Sequence, residues 1–159
     1  MHISLETLRN SPGQTYFYEF IREAAAFDLT EDGACFDRPV EVRLEAVFRD
    51  GKFHVFGSML TALISECSRC LQPFTFRLEG QWEDDLPAEE VQDLDVIRLA
   101  RELYYAALPL KPLCAEVCKG LCSVCGADRN HENCGCDLEQ MHDKLSVLKK
   151  LLLEQDEEV

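Results

Sequence analysis

Residues 108–136, LPLKPLCAEVCKGLCSVCGADRNHENCGC, crowd Cys114, Cys118, Cys122, Cys125, Cys134 and Cys136 into one short segment. Packing does not explain this density, because a free cysteine packs only as a small hydrophobe. The thiols must bind an ion or one another. In Cys122-Ser-Val-Cys125-Gly126, two residues separate the thiols, so both can turn back onto one tetrahedral ion. The glycine after them supplies the left-handed backbone such a turn needs. Cys134 and Cys136 complete a four-sulfur set. Cys67-Ser-Arg-Cys70 is a second pair at the same spacing, and with Cys114 and Cys118 it makes a second set. These two sets use every thiol except Cys35.

Three chemistries compete for such thiols: a disulfide cluster, a CxxC redox pair, and zinc. The opening residues 1–17 show no basic stretch followed by an apolar run. Nowhere do 18 apolar residues follow one another. The pattern therefore predicts a cytoplasmic protein with no membrane span, and in a reducing compartment nine cysteines suit metal thiolates better than bridges. No βαβ pattern surrounds either CxxC, which weighs against the redox pair. The expectation is Zn2+ held by Cys122, Cys125, Cys134 and Cys136 in one site, and by Cys67, Cys70, Cys114 and Cys118 in the other.

The remaining chain reads as α+β: an antiparallel β-sheet with flanking helices and a C-terminal cysteine-rich zinc-binding segment. Tyr16, Phe17, Phe20, Ile21 and Ala24 recur at helical spacing and predict a short amphipathic helix. From Val40 apolar residues alternate with Glu41, Arg43 and Glu45, the pattern of a half-buried strand. Asp50-Gly51 suits a two-residue hairpin turn, and 52–66 reads as one return strand or two shorter ones. A further strand runs from Phe74 to Trp82. The acidic stretch 83–95 reads as a solvated loop. Asp93 or Asp95 can cap a helix from Val96, with Leu99, Ala100, Leu103, Tyr104 and Ala107 on its apolar face, ended by Pro109. A closing helix is predicted over 137–154, with Leu138, Met141, Leu145, Leu148 and Leu152 along one side. Residues 1–107 and 108–159 form the two expected parts, the second packed on the first.

Charge restricts function. Asp and Glu number 30 against 16 Lys and Arg, a formal net charge of −14. Four thiolates outweigh one divalent ion, so metal loading makes the chain more acidic still. Nonspecific affinity for nucleic acid comes from cationic side chains displacing counterions, so a basic protein is the easier partner. Enzyme chemistry finds little support: His2, His54, His131 and His142 are scattered, and sites filled by four cysteines leave no position for a reacting water.

Cys67-Ser-Arg-Cys70-Leu71 with Pro73-Phe74, the approach Ala107 to Cys114, the core Cys118 to Gly126 with Asn130 and Cys134-Gly-Cys136, and the closing Leu145 to Leu151 together resemble the YceD family. The resemblance implies a bacterial cytoplasmic factor needed for accumulation and processing of large-subunit (23S) rRNA, hence a role in ribosome biogenesis, and it implies no catalytic activity. Its partners would be ribosomal proteins or rRNA-processing and assembly factors. Direct rRNA binding and a thiol redox sensor are the alternative readings.

Overall fold

The computed structural model describes residues 1–29 and 34–136. The closing helix predicted over 137–154 lies outside them.

Two long strands form the spine of the fold. β4 (Val40–Arg49) and β5 (Lys52–Glu66) pair antiparallel from Arg49↔Lys52 to Glu41↔Leu60. Their turn is the expected Asp50-Gly51 pair, with φ of 49° and 77°, the double left-handed geometry that matches the strands' own twist. The alternation in β4 is realised: Val40, Val42, Leu44 and Ala46 are buried, while Arg43 and Glu45 are exposed. β5 is one continuous strand. On its other side it pairs along its whole length with β6 (Pro73–Pro87). β2 (Thr15–Arg22) extends the sheet beyond β4, and β3 (Cys35–Phe36) lies beside the far end of β5. A second small sheet joins β1 (His2–Ser4) to β7 (Asp93–Asp95).

One face of the large sheet is covered. Helix α2 (Val96–Ala107) lays Val96, Leu99, Ala100, Leu103 and Tyr104 into the core, and the short α1 (Glu6–Arg9) contributes Leu8. Each buried Val or Leu among them contributes about 1.5–3 kcal/mol relative to its exposed state. α2 begins as its sequence demands, with the Asp95 carboxylate accepting from the backbone N–H of Ile97 and Arg98. It comes close to β6 because Gly80 has no side chain: a Cβ there would stand 3.0 Å from the Leu103 carbonyl oxygen.

Two sequence expectations are corrected. The helix expected through Tyr16, Phe17, Phe20 and Ile21 is strand β2; only Ala24 enters a helical turn, the short 3₁₀ turn Ala24–Phe27. Aromatic and β-branched residues favour a pleated surface, and the same residues also carry a period of two. Tyr16, Tyr18 and Phe20 pack on the core, while Phe17 and Ile21 face outward. The acidic loop is also shorter than expected. β6 runs on to Pro87, since Phe53 and Val55 opposite it are core residues whose strand supplies the pairing. Asp93, Leu94 and Asp95 form β7.

Candidate metal centres

Both cysteine sets are gathered by turns of the same design. Cys67 and Cys70 stand in the connection from β5 to β6, where the Cys67 carbonyl accepts from the N–H of Leu71 at 2.9 Å and the Cys67 N–H donates to Gln72. Cys122 and Cys125 repeat it: the Cys122 carbonyl accepts from Gly126 at 2.9 Å and its N–H donates to Ala127. The residue after the second cysteine is left-handed in each case, with φ of 60° at Leu71 and 77° at Gly126. Folding the chain back this way turns both sulfurs of a pair toward one point.

Partners for each pair arrive from elsewhere. The Ser68 N–H donates to the Pro112 carbonyl at 2.9 Å, which seats the segment after α2 against the first turn and delivers Cys114. Cys118 follows, and the four sulfurs of Cys67, Cys70, Cys114 and Cys118 lie within 4.8 Å of one another. Two of the separations, Cys67 to Cys118 and Cys70 to Cys114, are 3.7 Å. A tetrahedral ion with ~2.3 Å bonds to sulfur has edges of about 3.8 Å, whereas a disulfide needs about 2.05 Å. The sulfurs of Cys122, Cys125, Cys134 and Cys136 also fall within 4.8 Å. No histidine or carboxylate joins either group among the described residues, and His131 projects into solvent. Cys35 stands apart in β3.

The two groups differ in shelter. Cys67, Cys70 and Cys118 are buried in a small cluster with Phe74, Leu113 and Leu121. In the other group only Cys122 is buried, and Cys125 is exposed. The segments are nevertheless tied together. The Arg69 guanidinium donates to the Cys118 carbonyl at 2.8 Å, and the Arg69 carbonyl accepts from Leu121 at 3.0 Å. The Asn130 carboxamide accepts from the Lys119 N–H at 2.8 Å and donates to the Cys118 sulfur at 3.4 Å. Sequence reasoning noted Asn130 only as a motif position and missed its contact with a sulfur; it also missed Arg69. A polar residue between two cysteine pairs was the available signal for Asn130.

The surroundings set the protons on these thiols. Backbone N–H groups, that of Cys114 first, bring the Cys67 thiol down to about 6. Those of Cys125 and Val124 do the same for Cys122, also to about 6. Cys114 is pushed up to about 12, chiefly by its thiol bonding to Cys67, and Cys136 to about 12 by the same relation to Cys125. Each group therefore mixes ready thiolates with held protons, the state of four sulfurs that repel when all are ionised. A divalent ion removes that conflict.

Gly120 allows the close approach. Its φ is 71°, and a Cβ there would stand 2.9 Å from the Arg69 carbonyl oxygen. Gly126 has a similar φ but open space around it. Gly126→Ala should cost roughly 1–2 kcal/mol from the left-handed backbone alone. Gly120→Ala should cost clearly more and loosen both cysteine groups. Denaturant titration of the two variants checks this; equal losses would mean that the Arg69 contact contributes nothing.

Comparison with known proteins adds a relationship. The family model described as Large ribosomal RNA subunit accumulation protein YceD matches residues 77–152. The match takes in Cys114 to Cys136 and leaves Cys67 and Cys70 outside. Among curated proteins, the chain is similar to Large ribosomal RNA subunit accumulation protein YCED homolog 1, chloroplastic, of Arabidopsis thaliana. The two are 24% identical over 144 residues, covering 64% of this chain and 45% of that protein. The chain thus spans less than half the length of the relative. No solved structure matches it.

Proposed function

Since the chain belongs to the YceD family, which is implicated in large ribosomal RNA subunit accumulation, we propose that it is a non-catalytic zinc protein of ribosome biogenesis, acting mainly through protein partners. The observation that carries this reading is the pair of complete four-cysteine groups inside and beside the family region. Four thiolates around one ion form a closed set of the structural kind, with no position left for substrate or water. Zinc fits because it takes four sulfurs tetrahedrally and has no redox chemistry of its own. Iron would also accept this set, and a coloured protein would reveal it.

Charge and packing support protein partners over RNA. The net charge is −14. Phe74, Phe76 and Trp82, the aromatics that could stack on bases, are partly buried against the apolar clusters. Arg69 is engaged with the Glu116 and Cys118 carbonyls. On this reading the protein works in the cytoplasm, and its two parts are 1–107 and 108–159. The site of Cys67, Cys70, Cys114 and Cys118 clamps one part to the other.

The test is replacement in cells of the wild-type chain by the variants Cys118→Ser and Cys122→Ser. Mature large-subunit rRNA should fall in both, and the wild-type protein should crosslink to proteins of the large-subunit assembly pathway. Unchanged rRNA in both variants would separate the cysteines from the function. Crosslinks to rRNA alone would replace this reading with direct rRNA binding.

Acid should release the metal. Cys114, with Cys70 also raised, holds a proton in one site and Cys136 in the other, so the ion at each site must displace protons, and affinity rises about tenfold per pH unit for each proton released. Below about 6, Cys67 and Cys122 are also protonated in the metal-free protein, so the slope steepens there. Competition with a chromophoric chelator across this range measures the slope; a flat profile would mean that thiolates are not the ligands.

A further inference from the structure

We propose that the outer face of the large sheet, with the free edge of β2, docks an extended basic segment of a protein partner, which adds a strand to β2. The inference rests on the protein-partner reading and names the surface it would use.

Backbone chemistry comes first. Among the described residues, β2 pairs only with β4, no other backbone–backbone hydrogen bond involves Thr15–Arg22, and the Ile21 carbonyl accepts from the Arg22 guanidinium at 2.8 Å. Alternate N–H and C=O groups along its far side are therefore open to another chain. Edge strands are commonly protected by proline, lysine or a bulge. β2 has neither proline nor lysine, its charged residues are Glu19, which is paired with Arg43, and Arg22, and its register against β4 runs unbroken from Thr15↔Val47 to Arg22↔Val40. An open edge of this kind is the template for strand addition.

The side chains beside that edge select the strand. Phe17 is 75% exposed, Ile21 50% and Phe56 39%. Cross-strand pairing sets them in rows. One row runs Phe17, Glu45, Phe56, Glu83 and another Ile21, Glu41, Leu60, Glu79. Between them Arg43 is already held by Glu19 and Glu41. Arg77 is likewise held by Glu79. Glu45 and Glu83 thus flank Phe56 with no cation directly opposite. A shallow depression of about 420 Å³ opens here between Phe17, Glu45 and Phe56.

Apolar rings bordered by carboxylates suit lysine and arginine, whose stems lie along apolar surface while their heads reach the acids. The same carboxylates repel phosphate, which disfavours RNA on this face. They also repel one another across a two-fold axis, which disfavours a second copy of the chain.

The experiment uses a fluorescent peptide alternating lysine and valine, as long as β2, and reads anisotropy against the metal-loaded protein. Binding should weaken with salt and vanish for a peptide alternating glutamate and valine. It should fall roughly tenfold when amides along one edge of the peptide are N-methylated. Phe17→Lys and Ile21→Lys should each weaken it by a similar factor while keeping the wild-type metal content. Variants that bind as well as wild type would overturn the proposal, as would a wild-type dimer that Phe17→Lys dissolves. Proteins extracted from large ribosomal subunits serve as a second probe. If wild type and both variants bind them equally, the surface is wrong and the protein-partner reading stands. If wild type binds large-subunit RNA and none of the proteins, the reading beneath the proposal falls with it.

Discussion

Chelation of the metal should unfold residues 108–136 and leave the sheet standing. Cys118, Gly120 and Cys122 are the buried residues of that segment. Ordering a backbone costs roughly 1–2 kcal/mol per residue, and so little apolar burial offsets only a few residues' worth. Structural zinc in small domains contributes about 10–16 kcal/mol of apparent binding free energy, enough to reverse the balance. The sheet has its own core on β4, β5, β6 and α2, a cluster separate from the small one around Cys67, Cys70 and Cys118. Hydrogen exchange after chelation should therefore show full loss of protection from Cys114 to Cys136 with protection kept in 40–66. The group with exposed Cys125 should yield its ion before the group buried around Cys67 and Cys118. Retention of protection across 114–136 in metal-free protein would show that the segment holds itself together.

Single cysteine variants should divide the same region. Cys125→Ser removes a ligand from the exposed group and should loosen mainly 118–136. Cys70→Ser opens the buried group, where the turn joining β5 to β6 meets Cys114 and Cys118, so its effect should reach the Phe74 end of the sheet as well. Removing one of four ligands leaves three thiolates around a weakened ion, and the loss should be several kcal/mol in each local region. The shared contacts of Asn130 and Arg69 set a limit on independence, because Asn130 lies in the loop of one group and donates to a sulfur of the other. Hydrogen exchange on the two variants checks the difference. Identical, global loss in both would mean one indivisible unit in place of two linked parts.

How much of this was legible depended on how local the signal was. The β4–β5 hairpin follows from alternation plus Asp50-Gly51, and α2 from Asp95 and its apolar face; both are decided within a few residues. The grouping of cysteines by spacing was similarly local for Cys122 and Cys125. Joining Cys67 and Cys70 to Cys114 and Cys118 rested on leftover thiols, and the fold brings those sulfurs together through the Ser68 contact with Pro112. β2 was misread because Tyr16, Phe17, Phe20 and Ile21 satisfy two periods at once, and pairing with β4 decides between them. The length of β6 was hidden for a related reason. Glu83 and Asp85 look like loop residues in sequence, yet on the outer face of a sheet their charge is solvated while their backbone pairs with β5. Leu71 with φ of 60° could not have been foreseen, since nothing marks a leucine for the place that Gly126 fills in the second turn.

Native mass spectrometry of the protein purified without added metal tests the central claim most directly. Two closed four-cysteine sites predict a folded species heavier than the bare chain by two zinc ions, less the thiol protons they displace, with both ions lost on mild acidification. A folded, monodisperse chain at the bare mass would contradict it.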